Sequence, residues 1–315
     1  MTDETMLIDA FDSRAMRRAG RRDFFRAIGG AVAVGGVMTQ LSHTAQAQTA
    51  APTDADILNF ALNLEYLEAQ FYLFAVTGQG LPSGSLNGTG ARGEATGGRR
   101  VNFTDPIVRQ YAVEIAQDER AHVDFLRMQL GGAAVAQPAI DISAGPNGPF
   151  SNAARAAGLI GANESFDPYA NDNNFLLGAF IFEDVGVTAY KGASPLITSK
   201  IFLEAAAGIL AVEAYHAALV RTVLFRRGIE TPSIIEATES ISNARDSLDG
   251  NSNLDQGIRP INGMSNIAPL DENGLAFSRT AGQVLNIVYL NRMAVTGGGF
   301  FPNGVNGTLR MSAAN

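Results

Sequence analysis

Two short motifs, each with a glutamate three residues before a histidine, carry the strongest chemical signal in this chain. Glu119 precedes His122 in the first, and Glu213 precedes His216 in the second. Residues three apart lie on one side of a helix, so a carboxylate and an imidazole with this spacing can bind one metal ion together. A single motif of this kind is usually a solvated helix face. Here, however, it accounts for both histidines outside the N-terminal leader, which contains the third, His43.

Two more glutamates interrupt apolar helical stripes. Glu65 and Glu183 each stand among apolar residues spaced by three and four, and each is followed seven residues later by a tyrosine, Tyr72 or Tyr190. Burying an ionised carboxylate costs much free energy unless it is paired or binds a metal. The negative charge at these two positions must therefore be compensated by a partner or a metal ion. Glu68 lies off the stripe of Glu65 and is the second choice as an inward ligand.

Together these residues predict a centre for two iron or manganese ions, held by oxygen and imidazole nitrogen. Helix bundles with such centres take one glutamate from each of two helices and a Glu-x-x-His motif from each of the other two. Asp118 and Asp124 are either surface charges or groups that orient an imidazole. Tyr72 and Tyr190 are either core aromatics or lining residues. The predicted ligands, beyond which no catalytic residue is predicted, are Glu65, Glu119, His122, Glu183, Glu213 and His216.

Four helices must position these residues. The first is predicted over 54–77 and the second over 106–130, with Thr53 as N-cap of the first and Pro106 opening the second. The third is predicted from 172 to a break at 192–195, and the fourth over 198–227. Both pairs repeat the order of a lone glutamate followed by Glu-x-x-His, which indicates an internal duplication.

The remaining segments predict the topology. The stretch 131–171 is rich in Gly, Pro, Ala and Asn, with a short helix near 151–160, and its length suits a crossover between parallel helices. Further helices are predicted at 233–248 and 281–293, and the tail 297–304 should pack over the bundle or contact another subunit. The prediction is an all-α four-helix bundle (48–228) with one long crossover from helix 2 to helix 3 and a C-terminal helical extension (229–315).

The first 47 residues have the order of an export signal. Arg21-Arg22 precede an apolar run over 27–37, and Ala45-Gln46-Ala47 supply a cleavage site. The run of about a dozen residues is shorter than the roughly twenty of a membrane span. An uncleaved amphipathic anchor is the alternative. We expect the twin-arginine machinery to export the protein to the periplasm or beyond.

Composition narrows the possible partners and sites. Without the six arginines and five acidic residues of 1–47, the chain keeps 17 basic and 26 acidic residues, a net charge near −9. Such a chain should bind neither nucleic acid nor anionic lipid. The chain contains no cysteine, which excludes disulfides, thiolate zinc sites and iron–sulfur ligation.

The motif residues resemble the ferritin-like superfamily, bacterioferritin and rubrerythrin included. The resemblance implies that the six predicted positions take the roles of the terminal and bridging glutamates and the two histidines. The segments 56–68 and 283–302 are more specifically similar to ferritin-like, desiccation-related proteins. The leader, the long crossover and the C-terminal addition depart from true ferritins and argue against a multi-subunit storage cage. The desiccation-related group implies a role in stress protection.

Two classes of function remain open. The first is an oxidoreductase acting on peroxide or dioxygen, catalase-like with two manganese ions, or ferroxidase- or peroxidase-like with two iron ions. The alternative is a non-catalytic protectant or envelope component whose metal only stabilises the bundle. Iron sequestration is a third possible function. A homo-oligomer is compatible with each of them.

Overall fold

The described part of the chain is built almost entirely from helices. The computed structural model describes residues 51–315, so the predicted export signal lies outside the described residues. Within that range there are seven α-helices and two strands of two residues each. They are α1 (Asp54–Thr77), β1 (Ala95–Thr96), α2 (Pro106–Leu130), β2 (Ile140–Asp141), α3 (Pro149–Ala156), α4 (Asp172–Ala193), α5 (Lys200–Glu230), α6 (Ser233–Asp249) and α7 (Ala281–Val288).

Capping residues set the ends of the first two long helices. Thr53 accepts a hydrogen bond from the Asp56 N–H, and the Asp56 carboxylate accepts one from the Thr53 N–H, so a capping box begins α1. Gly78 ends α1 at φ 79°, a left-handed conformation that glycine adopts without steric cost. Asp105 caps α2, with Pro106 in its first turn. Both helices have the predicted bounds.

Helix α5 begins and ends later than predicted. Ser199 is its N-cap, because the N–H and hydroxyl of Thr198 both donate to the Asp54 carboxylate of α1 instead. The helix also continues through Gly228 to Glu230. A glycine weakens a helix but does not have to end it, and Gly228 is buried against α6.

Helix α7 is shorter than predicted. The chain turns after Val288, since Leu290 takes a left-handed φ of 53° and the Val288 carbonyl accepts a hydrogen bond from the Phe300 N–H. Phe300 is fully buried, with its ring centroid 4.9 Å from that of Phe182. The tail is therefore a packed arm, the first of its two predicted roles.

The long helices form two packed pairs. Helix α1 packs on α2, α4 packs on α5, and the pairs meet through α1 with α4 and α2 with α5. Every residue of α1 from Ile57 to Tyr72 is buried, so this helix lies at the centre of the molecule. The connection from α2 to α4 contains α3 and β2, which pairs in parallel with β1. The predicted all-α bundle is confirmed.

Three buried arginines fasten the C-terminal residues to the bundle. Arg221 of α5 and Arg245 of α6 both donate to Asp184 of α4, at 2.8 and 3.0 Å. Arg245 and Arg279 both donate to Asp255, at 2.6 and 3.1 Å. Residues Ala51–Asn315 accordingly form one compact unit, and the division at 228 stays a prediction.

We expect Arg221→Met to lower the free energy of unfolding by about 3–5 kcal/mol, because it removes one partner of a fully buried charge network. Arg226→Met, at an exposed position of the same helix, is the control and should change stability by less than about 0.5 kcal/mol. Urea denaturation measures both. Equal effects would show that the network contributes little.

Candidate metal centre

One half of the predicted centre gathers side chains from three helices. Ligand atoms of Glu65 (α1), Glu119 and His122 (α2) and Glu213 (α5) all lie within 4.8 Å of one another. The His122 Nδ1 is 3.2 Å from Glu65 Oε2 and 3.7 Å from Glu119 Oε2. All four residues are buried. Three carboxylates thus surround one imidazole nitrogen.

The other half is formed around His216. Its Nδ1 is 3.0 Å from Glu119 Oε1 and 3.8 Å from Glu183 Oε2 of α4. Glu119 therefore lies between the two imidazoles, whose ring centroids are 6.3 Å apart. Ions in shared two-metal centres stand roughly 3.5–4 Å apart, which this spacing accommodates. The fold brings all six predicted residues together, and their role as ligands stays a prediction.

Two tyrosines connect helices α1 and α4 at the centre, each by a hydrogen bond to a glutamate of the other helix. Tyr72 of α1 donates a hydrogen bond to Glu183 of α4, and Tyr190 of α4 donates one to Glu65 of α1. Burial, together with the neighbouring glutamates, holds the pKa of both phenols well above the ordinary value, so they remain neutral donors. Both tyrosines line the centre.

One of the two predicted orienting aspartates reaches an imidazole. Asp118 Oδ2 is 3.1 Å from His216 Nε2. Because a carboxylate can only accept, Nε2 carries a proton, which leaves Nδ1 as the atom that would bind an ion. Asp124 instead accepts a hydrogen bond from Ser85 and lies near Arg120, so it does not orient a histidine.

Protons and imidazolium charge balance the carboxylates when no cation is bound. Burial raises the pKa of Glu65 to about 7 and that of Glu183 to about 8. Burial also disfavours charge on His122, but Glu65 and Glu119 outweigh it and raise the pKa of His122 to about 11. At Glu119 the effect of burial is outweighed by His122 and His216, which lower its pKa to about 2.

Several buried atoms of the cluster are left without a hydrogen-bond partner among residues 51–315. They are both carboxylate oxygens of Glu119 and of Glu213, Glu183 Oε2 and His216 Nδ1. His216 Nδ1 is 3.0 Å from Glu119 Oε1, but the angles of this contact are not those of a hydrogen bond. Buried polar atoms are nearly always paired, so these need a partner of another kind. Oxygen and imidazole donors without thiolate suit iron or manganese. The residues present fit such an ion, and a second ion beside His216 stays a prediction.

Glu68, the second choice as an inward ligand, also faces the interior beside the cluster. Glu68 is buried, and burial, followed by the charges of Glu119, Glu183 and Glu65, raises its pKa well above the ordinary value. A position off the apolar stripe of a helix usually faces solvent. Helix α1 is buried on every side, so its residues off the stripe face the interior as well. Glu68 adds a fifth interior glutamate.

Gly186 of α4 leaves space for the carboxylate of Glu68, the fifth interior glutamate. Glu183 and Tyr190 have the spacing of Glu65 and Tyr72, so Gly186 stands in the repeat where Glu68 stands. A Cβ added at Gly186 would lie 3.0 Å from the Glu213 carboxyl carbon and 3.5 Å from Glu68 Oε1. The internal symmetry is therefore broken at this pair.

Sequence comparison agrees with this arrangement of helices. A ferritin-like domain matches residues 53–226, which span α1, α2, α4 and most of α5 and contain every predicted ligand. The chain belongs to the ferritin-like family.

The ferritin-like protein also has relatives that match most of its length. It is 31% identical over 269 residues to desiccation-related protein PCC13-62 of Craterostigma plantagineum, covering 81% of this chain and 83% of that one. It is 29% identical over 272 residues to ferritin-like catalase Nec2 of Nesocodon mauritianus, covering 81% and 84%. The resemblance predicted from the motifs is confirmed. No solved structure matches the chain.

We expect Gly186→Ala to weaken metal binding about 10- to 100-fold, because the new methyl group displaces the Glu213 carboxylate. Gly208→Ala is the control, since nothing lies within 4 Å of that position in α5. It should raise stability by about 0.5–1 kcal/mol and leave metal affinity unchanged. Competition with a chelator gives both affinities, and equal values would refute a packing role for Gly186.

The metal-free protein should lose stability as pH rises from 5 to 9. The folded-state pKa values of Glu65 and Glu183, about 7 and 8, exceed the ordinary 4.5, and those of His122 and His216, about 11 and 9, exceed 6.5. The folded state therefore holds extra protons, whose stabilisation is complete below the unfolded pKa values and is lost as pH rises through the folded ones. Each extra proton is worth about 1.4 kcal/mol per pH unit.

Bound manganese should make the stability of the protein depend less on pH, because the ions replace the extra protons. Denaturation at pH 5, 7 and 9, with a chelator and with Mn²⁺, measures the difference. A metal-free protein that becomes more stable over this range would contradict the expected proton balance.

Proposed function

We propose that this ferritin-like protein is a two-metal oxidoreductase that acts on hydrogen peroxide or dioxygen in stress protection. The observation that carries the proposal is the position of Glu119 between two imidazoles, with both of its oxygens free of hydrogen-bond partners among the described residues. The similarity to a protein named as a ferritin-like catalase supports peroxide as the substrate.

Bound iron or manganese ions would supply reversible one-electron chemistry. With manganese, two molecules of peroxide would yield two of water and one of dioxygen; with iron, ferroxidase or peroxidase chemistry is the expectation. The chain's own residues do the positioning. Tyr72 and Tyr190 hold the outer carboxylates, and Asp118 orients His216. Peroxide is small and neutral, so an acidic protein does not repel it.

A non-catalytic role in stress protection is the second candidate. The similarity to a protein named as desiccation-related favours it. The five buried glutamates favour it as well, because a bound metal would compensate their charge. Metal binding would offset the cost of burying five glutamates and would add its free energy to that of folding. In this role the ions would act only as a structural clamp.

We propose further that the protein acts in the periplasm or outside the cell. The twin arginine at Arg21 and Arg22, the apolar run and the Ala-x-Ala site that follow it support export by the twin-arginine route. Peroxide that enters from outside would meet the protein there first.

The decisive test is oxygen evolution from hydrogen peroxide by protein loaded separately with manganese and with iron. We expect turnover with one of the metals and a loss of at least about 100-fold in Glu119→Ala, because that carboxylate lies between the two ion positions. Glu114→Ala, exposed on the same helix, should retain full activity.

Other outcomes of the same experiment point elsewhere. If neither metal supports turnover with peroxide or dioxygen and Glu119→Ala only lowers the melting temperature, the structural role is correct. Many more than two ions per chain after aerobic loading with iron would instead indicate sequestration.

A further inference from the structure

A cavity of about 170 Å³ lies between α4, α5 and the loop 254–277. Its walls are mostly apolar and include Val187, Ala217, Ala218, Ile267 and Phe277. An engineered cavity of about 150 Å³ with apolar walls binds benzene in another protein. The space is thus large enough for one small aromatic ring.

One buried side-chain acceptor in this wall has no hydrogen-bond partner among the described residues. Asp184 lines the cavity and is only 4% exposed. Its Oδ2 accepts from Arg221 and Arg245, which compensate its charge, whereas no group among residues 51–315 donates to its Oδ1. Asp255, the other carboxylate in the wall, has a guanidinium on each oxygen. What Oδ1 requires is therefore a neutral hydrogen-bond donor.

The loop side of the cavity is held in place. Arg221 donates to the carbonyl oxygens of Gln256, Gly257, Asn266 and Ile267, at 2.7 to 2.9 Å. A fully buried arginine with this many partners fixes the backbone of the loop, so a ligand would enter a site that is already formed.

The cavity is separate from the candidate metal centre. None of the predicted metal ligands is among the described residues that line it. Asp184, Ala214 and Ala217 each follow a predicted ligand by one position, and successive residues of a helix point about 100° apart. The two sites therefore lie around the same pair of helices but face different ways.

We propose that this cavity binds a small aromatic alcohol of the size of phenol. The ring occupies the apolar space along α4 and α5, and the hydroxyl group donates to Asp184 Oδ1. A ring without a donor leaves this buried acceptor unpaired, and a ring with an ionised carboxylate places a second acceptor against it. Shape and donor together define the class of ligand.

Calorimetric titration of the full-length, manganese-loaded protein with phenol, toluene and benzoate tests the proposal. We expect phenol to bind at least about tenfold more tightly than toluene, which has the same shape but no donor, and benzoate not to bind. Ala218→Leu should abolish phenol binding by filling the cavity, whereas Ala211→Leu, exposed on the same helix, should leave it unchanged.

Ala218→Leu leaves every residue of the ion-pair network in place, and a melting curve checks that it folds. Equal affinity for phenol and toluene would overturn the proposal, as would no binding of either. Phenol binding that survives in Ala218→Leu would also overturn it, because the ligand would then occupy another place, such as the metal ions.

Discussion

The repulsion among buried carboxylates constrains the rest of this molecule. Two like charges 4 Å apart repel by about 4 kcal/mol at an effective dielectric constant of 20, and five glutamates share one interior with two histidines. They cannot all be ionised unless positive charge enters. Burial, followed by the charge of Glu119, raises the pKa values of Glu65 and Glu183. The pKa of His122 is high because attraction to Glu65 and Glu119 outweighs the opposing effect of burial. Two divalent cations would resolve the imbalance with the donor atoms already in place.

The two pairs of helices supply matching sets of side chains to the centre. The sets differ where one pair has Glu68 and the other has Gly186, and this difference makes the centre asymmetric. Each pair of helices supplies a lone glutamate, a tyrosine and a Glu-x-x-His motif, and each tyrosine binds the glutamate of the other pair. Replacing the glutamate of the repeat by Gly186 in one copy opens space for the carboxylates of Glu68 and Glu213. The surroundings of His122 and of His216 consequently differ, so two ions bound beside them would differ in affinity or redox state.

Adjacent acids in one helix show how a protein compensates buried charge in two ways. Asp184 faces two arginines, and this paired cluster fastens the loop and the C-terminal helices to α4. Glu183, one residue earlier, faces a histidine and a tyrosine, and no arginine or lysine within residues 51–315 pairs with it. A carboxylate with arginine partners needs no ion and stabilises the assembly of helices. One that lacks them is available to bind a metal, which is why the neighbouring position belongs to the candidate site.

The sequence alone determined the helices and six of the inward-facing ionisable residues, because capping, breaker residues and periodicity are local properties. Thr53, Gly78 and Pro106 marked helix ends that the structure has at the predicted residues. Tertiary structure decided the rest. The inward position of Glu68 depends on α1 being covered on all sides, the space at Gly186 depends on Glu213 from another helix, and the end of α7 depends on a hydrogen bond from Phe300. Contacts between residues far apart in the chain leave no periodic trace in the sequence, so only the folded chain reveals them.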